Sequence, residues 1–456
     1  MAIDKAIFKA YDIRGVYPSQ IDEGGIYDLG QAFVKHLKVK EVAVGHDMRV
    51  STPKLLPHLI AGINDAGAKV VDIGFIGTEV MYFAVGKFKL ESGIMLTASH
   101  NPPEYTGLKM VKKDSIPLDE ETIKVIGEIA IKGLRSKKRG WVAPNIVKLD
   151  PFPGYKKAIY SMVEVEDLEP LKVIVDAGNG MGGVLIDKVF SNSPIKITKM
   201  YFEPNGNFPN HIADPLKEEN TLELRKRVVE EKADLGIALD GDGDRCFFID
   251  RYGKYSLGYY IVALLAERML KKYPGAKIVH ENRLLWAIED RVKQAGGIPV
   301  VSKAGYAIMR PLMRKIESVF GGETSSHFFY KNLYYADSSM ATIALMLEII
   351  SESGKTLDQI LEPFREKYFL SGEINYEVSN ANITLKKIKE FYQLKGYKID
   401  ELDGIAVEDG RNWRFSLRKS NTEPLIRLNV EAKSQDIVDN KVSEILKLIK
   451  NHGGIS

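Results

Sequence analysis

Val42-Ala43-Val44, a stretch with helical spacing opening near Thr52-Pro53, and Val70-Val71-Asp72-Ile73 set out the pattern on which the fold turns. A short β-branched run leads into an amphipathic helix and then into a second apolar run. The pattern recurs twice. Leu171-Lys172-Val173-Ile174-Val175 leads through a glycine-rich turn, Gly178 to Gly183, to Ile195-Lys196-Ile197. Lys277-Ile278-Val279 leads through residues 284–295 to Ile298-Pro299-Val300-Val301. Apolar runs alternating with helices mark strand–helix–strand units, so three α/β domains of similar plan are expected. Ser51 or Thr52 is expected to cap the first helix, with Pro53 in its first turn. After residue 370 the pattern changes. A strand over 374–378, a helix over 385–393, antiparallel runs at 413–417 and 425–430, and a closing helix over 435–450 predict a smaller α+β domain.

Bulk properties bound the function. A chain of 456 residues exceeds one hydrophobic core, and the expected domains are 1–147, 148–250, 251–369 and 370–456. Hydrophobic residues make up 45% and charged residues 27%, which excludes a largely disordered or fibrous chain. A net charge of +3 gives no sign of a nucleic-acid or membrane partner. Cys246 is the one cysteine, so no intrachain disulfide forms. No run of about 18 apolar residues occurs, and Met1-Ala2-Ile3-Asp4-Lys5 carries no cleavage pattern; a cytoplasmic protein is expected. The basic run Arg135-Ser136-Lys137-Lys138-Arg139 reads as a solvated linker.

Five short segments carry chemistry. Asp240-Gly241-Asp242-Gly243-Asp244-Arg245 follows a strand-like run. Its alternate carboxylates can converge on one point, and three oxygen anions without sulfur or imidazole suit a hard divalent cation, magnesium by default. An EF-hand is excluded, because its glycine and glutamate positions hold Arg245 and Arg251. Thr97-Ala98-Ser99-His100-Asn101-Pro102 follows the apolar run Gly93-Ile94-Met95-Leu96. Ser99 therefore sits at the C-terminal end of a strand, where α/β sheets place ligands. Serine needs an activating neighbour; in an extended loop, His100 would point away from it. No Gly-x-Ser-x-Gly frame supports a hydrolase. Arg418-Lys419-Ser420-Asn421-Thr422-Glu423-Pro424 combines cations, hydroxyls and an amide in one loop, a phosphate cradle. Gly321-Gly322-Glu323-Thr324-Ser325-Ser326-His327 offers a carboxylate and hydroxyls of the kind sugars need. Tyr11-Asp12-Ile13-Arg14-Gly15 and Lys109 add two more cations. Asp176-Ala177-Gly178-Asn179-Gly180 lacks dinucleotide spacing and reads as a tight strand-to-helix turn.

Together and in this order, the segments resemble the α-D-phosphohexomutase family, nearest its phosphomannomutase/phosphoglucomutase members, across essentially the whole chain. Phe8–Gly15 looks like the family's opening motif, Thr97–Pro102 its phosphoserine loop, Asp240–Arg245 its metal loop, Gly322–His327 its sugar loop and Arg418–Pro424 its phosphate loop. The resemblance implies four domains around a central cleft, three similar α/β domains and a smaller C-terminal α+β domain. It implies conversion of hexose 1-phosphates to 6-phosphates through phosphorylated Ser99. Mg2+ would be held by Ser99, Asp240, Asp242 and Asp244. Glucose 1,6-bisphosphate or mannose 1,6-bisphosphate would serve as intermediate and activator. Arg14, His100 and Lys109 are the unranked candidates for charge stabilisation and proton transfer. Arg245, Glu323, Ser325, Arg418, Ser420, Asn421, Thr422 and Arg427 would bind substrate. Small hexose phosphates are the implied partners, and homo-oligomerisation stays open.

Two departures bear on the sugar. Ser326 stands where the family usually has glycine, and Tyr306, in Lys303-Ala304-Gly305-Tyr306, where relatives often have histidine. A phosphoglucosamine mutase is the alternative enzyme. A silent sugar-phosphate binding protein would be expected to lack Ser99 or an aspartate, and both are present.

Overall fold

The computed structural model describes residues 3–133, 145–420 and 425–453; the basic run at 135–139 lies outside them. All three repeats form. Strands Glu41–His46 and Lys69–Phe75 flank helix Thr52–Asp65, strands Lys172–Asp176 and Lys196–Met200 flank helix Gly182–Phe190, and strands Lys277–Glu281 and Ile298–Ser302 flank helix Trp286–Gln294. Each strand pair is parallel, with Val42 opposite Val70, Val173 opposite Ile197 and Val279 opposite Val300. The first helix begins as expected at Thr52-Pro53, but Ser51 is already αR and its side chain makes no capping bond. Its carbonyl accepts from the N–H groups of Lys54 and Leu55 instead.

The chain divides into two compact units, each discontinuous in sequence. The first comprises Met1–Ser256, Arg310–Phe320 and Ser325–Leu357; the second comprises Leu257–Met309, Gly321–Thr324 and Asp358–Ser456.

In the first unit, one sheet runs Ile13–Val16, Tyr105–Lys112, Ser92–Leu96, Glu41–His46, Lys69–Phe75, Ile146–Lys148, with Ile116–Pro117 beside Tyr105–Lys112. Its first two pairings are antiparallel. Helices Glu23–Leu37 and Thr52–Asp65 cover it through Ile26, Leu29, Phe33, Leu55, Leu59 and Ile63, all buried. A second sheet runs Tyr255–Ser256, Cys246–Asp250, Leu235–Leu239, Lys172–Asp176, Lys196–Met200. Every residue of two of its three inner strands, Leu235–Leu239 and Cys246–Asp250, is buried. They are antiparallel, so the segment between them is a tight reversal and not a strand-to-helix link. Helix Ser339–Ser353 buries Met340, Ile343, Leu345, Met346 and Leu347 and belongs to this unit. Ser339 Oγ donates to the Gly243 carbonyl at 2.6 Å.

In the second unit, the C-terminal sheet runs Phe369–Leu370, Leu425–Ala432, Trp413–Lys419, Ile405–Asp409, Ile399–Asp400, with Ile374–Glu377 also beside Leu425–Ala432. Phe415, Leu417, Leu428 and Val430 pack on Ile388, Tyr392, Ile445 and Ile449 of helices Ala381–Leu394 and Gln435–His452. The first of these helices starts four residues before its expected position. Asn380 caps it by accepting from the Ile383 N–H at 3.1 Å.

Candidate active site

The reversal between the two buried strands is the segment Asp240–Arg245, and all three of its aspartates are at most 1% exposed. Gly243 takes φ 75°, which a glycine adopts without strain. Gly241 is required for a different reason. A Cβ there would stand 2.3 Å from the Ser99 carbonyl oxygen, so the metal loop lies directly on the serine loop. The Thr78 N–H also donates to the Asp242 carbonyl at 3.1 Å, tying the two sheets of this unit together at the loop. Gly241→Ala is expected to push these loops apart and lower kcat about 100-fold. A steady-state assay on folded variant checks this; wild-type kcat would mean that the contact is immaterial.

Ser99 is 2% exposed and at φ 51°. This left-handed turn overturns the expectation of an extended loop. It brings Ser99 Oγ within 3.3 Å of His100 Nδ1, and 3.2 Å from Asp240 Oδ2. Lys109 projects from strand Tyr105–Lys112 and donates to Asp242 Oδ2 at 2.7 Å and to Asp244 Oδ2. Thr78 Oγ1 donates to the same Asp242 oxygen. Arg245 Nε donates to Asp240 Oδ2 at 2.8 Å and its Nη2 to His100 Nδ1, so a residue expected at the substrate is engaged with the aspartate and serine loops. Arg14 Nε donates to Asp12 at 2.9 Å and Nη1 to Asn101 at 2.7 Å.

Electrostatics follow from burial. Burial works to raise the Asp242 carboxyl, but Lys109, with bonds from Thr78 and Ser99, holds it below the ordinary range. Burial pushes Asp240 up against the pull of Arg245. Burial opposes the Lys109 charge, yet Asp242 and Asp244 hold its pKa well above the usual lysine value. Burial, then Arg245 and Arg14, hold His100 well below the usual histidine value, as a neutral imidazole.

The residues fit a hard cation. Ligand oxygens of Asp240, Asp242 and Asp244 lie within 4.8 Å of one another. Asp242 Oδ1 and Asp244 Oδ1 are buried without a hydrogen-bond partner, a costly state that a bound cation removes. Asp244, His327 and Asp337 make a second group within 4.8 Å. His327, quoted above only as the end of the sugar loop, thus lies beside the metal loop. Ser325 Oγ is 3.4 Å from His327 Nδ1. Ser326 is buried at φ 67°, so serine here keeps the backbone that glycine would favour.

In the second unit, the Glu323 carboxylate accepts from the Gly305 N–H, joining the sugar loop to the segment Lys303–Tyr306. Arg418 and Arg427 face each other across antiparallel strands and both reach Glu373, at 3.3 and 3.0 Å. Arg283 stands 3.5 Å from the same carboxylate. Burial would raise Glu373, but Arg283, Arg418 and Arg427 bring it below the usual range. A carboxylate already sits among three guanidinium groups, the environment a phosphate seeks. The Ser420 N–H donates to the Leu425 carbonyl at 2.8 Å; Asn421 and Thr422 lie outside the described residues. Thr78, Arg283 and Glu373 were not singled out from sequence. Thr78 and Arg283 follow the C-terminal ends of strands Lys69–Phe75 and Lys277–Glu281, where ligands gather in α/β sheets, and that placement was the available signal.

Comparison with known proteins agrees with this geometry. Family models match four successive segments: phosphoglucomutase/phosphomannomutase alpha/beta/alpha domain I over 5–136, domain II over 153–253, domain III over 257–368 and the C-terminal domain over 373–448. A protein of Xanthomonas campestris named among the phosphohexose mutases is 40% identical over 97% of this chain and 99% of its own. A phosphomannomutase of Vibrio cholerae is 40% identical over 97% and 98%, and one of Escherichia coli 37% identical over 93% and 94%. The crystal structure of a phosphoglucomutase/phosphomannomutase family protein from Burkholderia thailandensis superposes with TM-score 0.88 at 28% identity, covering 98% of both chains. Parafusin, a phosphoglucomutase from Paramecium, shares the fold with TM-score 0.81 at 17% identity, covering 99% of this chain and 96% of its own. No helix among the described residues is long and apolar enough to cross a membrane. With its four domains in order and a serine bonded to the first of three buried aspartates, the chain belongs to the phosphoglucomutase/phosphomannomutase family and is a hexose-phosphate mutase, an intramolecular phosphotransferase.

Proposed function

We propose that this chain, acting in the cytoplasm, interconverts the 1- and 6-phosphates of glucose and mannose through phosphoserine at Ser99 and a bound hexose 1,6-bisphosphate. The observation that carries the proposal is Ser99 Oγ lying 3.2 Å from Asp240 and 3.3 Å from His100 beside a cation-seeking carboxylate cluster. Magnesium, which Asp240, Asp242, Asp244 and a Ser99 oxygen would hold, supplies charge neutralisation for phosphoryl transfer.

The chain's own residues do the rest. In the forward step the sugar hydroxyl bonds to phosphorus as the bond to Ser99 Oγ breaks, and the hydroxyl's proton passes by way of His100 to Ser99 Oγ. In the return step Ser99 Oγ bonds to the other phosphorus as the bond to the sugar oxygen breaks, and the serine proton passes by way of His100 to that sugar oxygen. Of the three unranked candidates, Arg14 and Lys109 stay cationic. Only His100 is neutral with a ring nitrogen at Oγ, and that Nδ1 must release the bond from Arg245 Nη2 to take the proton. Arg14, braced by Asp12 and Asn101, and Lys109 stabilise charge on the transferred group. Glu323 and Ser325 hold sugar hydroxyls, while Arg418, Ser420, Asn421, Thr422 and Arg427 hold the phosphate that is not reacting.

Intact-protein mass spectrometry with peptide mapping, before and after incubation with either bisphosphate and Mg2+, tests the reading. One phosphate is expected on Ser99, discharged by mannose 1-phosphate or glucose 1-phosphate. Folded protein that carries no phosphate at Ser99 under any of these conditions would refute the phosphoserine route.

A further inference from the structure

Arg49 follows strand Glu41–His46 and is 1% exposed. Its guanidinium donates to four main-chain carbonyls. Nη1 serves Pro102 and Tyr105, both at 2.8 Å; Nη2 serves Ser99 at 2.8 Å and Asn101 at 2.6 Å. All four carbonyls lie on the segment that leaves strand Ser92–Leu96 and enters strand Tyr105–Lys112. Asp47 Oδ2 stands 3.5 Å from Nε, and Asp47 Oδ1 accepts the Arg49 N–H at 3.0 Å. The Phe208 ring lies 5.6 Å from the guanidinium carbon.

Burying a cation is costly unless it is fully bonded, so its partners show what the burial achieves. Ser99 occupies a left-handed backbone that a non-glycine residue keeps only when its surroundings over-determine it. The peptide groups around it have left regular pairing, and their carbonyls need donors. One planar fork with five N–H groups serves all four; an ammonium has three donors and no fixed plane.

We propose that Arg49 is the positioning residue for phosphoryl transfer, fixing the main chain of the Ser99 loop and hence the direction of Ser99 Oγ. It donates to none of the three loop aspartates. It acts on the reaction through the Ser99 backbone, and the proposal rests on Ser99 being the phosphoryl carrier.

The test uses the full-length protein with Arg49→Lys and Arg49→Met. Each is charged with glucose 1,6-bisphosphate and Mg2+ and then mixed with glucose 1-phosphate in a single-turnover experiment, beside a thermal unfolding scan. In folded Arg49→Lys, transfer is expected to slow about 100-fold, with half-saturating sugar phosphate and Mg2+ within about threefold of wild type. A purely structural role would lower the unfolding temperature and leave this rate alone. Transfer at the wild-type rate, or slowing that saturating sugar phosphate abolishes, overturns the proposal. If neither variant folds, Asp47→Asn decides, since it removes only the charge beside Nε. Transfer slowed about tenfold supports positioning, and an unchanged rate refutes it. Wild-type protein that never carries phosphate on Ser99 would instead sink the underlying phosphoserine reading, a separate and visible failure.

Discussion

Ser99→Ala is expected to lose on the order of 10⁶-fold in kcat, the scale of removing a covalent nucleophile, and to take up no phosphate. The substitution removes only Oγ, whose contacts are with His100, Asp240 and Asp242. The turn itself is held by the Ser99 N–H donating to Thr97 Oγ1 at 2.9 Å and by its carbonyl, both of which alanine keeps. Stability should therefore change by no more than about 1.5 kcal/mol, one modest hydrogen bond. A coupled assay on glucose 1-phosphate, with denaturant unfolding alongside, separates the two effects. Turnover within tenfold of wild type would move the nucleophile elsewhere.

Asp242→Asn is the second large effect. Asp242 Oδ2 is held by Lys109 and Thr78 while Oδ1 has no partner. Asparagine keeps the shape and removes one carboxylate charge from the cluster beside Lys109. Attraction for a divalent cation then falls away. Half-activating Mg2+ should rise about 100-fold, and kcat at saturation should fall about 10³-fold, equivalent to about 4 kcal/mol of charge stabilisation. Wild-type enzyme stripped with a chelator should regain full activity with Mg2+, whereas the variant should regain only its residual activity and only at about 100-fold higher Mg2+. An unchanged Mg2+ titration would place the metal elsewhere.

Convergence was legible where it is local: Asp240, Asp242 and Asp244 lie in one tight reversal, so residue type and spacing were sufficient to bring their carboxylates together. The three strand–helix–strand repeats were legible because their strands are plain β-branched runs. Strand Tyr105–Lys112 was missed because Lys109 interrupts its apolar character, and that lysine serves two carboxylates more than 130 residues away. His100 was misjudged because nothing in Ser-His announces a left-handed φ at Ser99. Arg49 escaped notice because its partners are carbonyl oxygens, which every residue carries. Thr78 did so because Asp242 is 164 positions distant.

The hydroxyl of Ser339 on the Gly243 carbonyl sets an order of events in synthesis. The residues of the serine and metal loops are all made by position 245, yet the unit that contains them also claims 310–320 and 325–357. Tyr155 waits for Ser338, its hydroxyl partner at 2.9 Å, and Ser115 waits for Arg310. A nascent chain emerging from the ribosome has thus delivered Ser99 and the three loop aspartates long before it can finish the scaffold that holds them. The matched family boundaries at 253 and 257 mark homology, and a polypeptide released there would leave Gly243 without its Ser339 support.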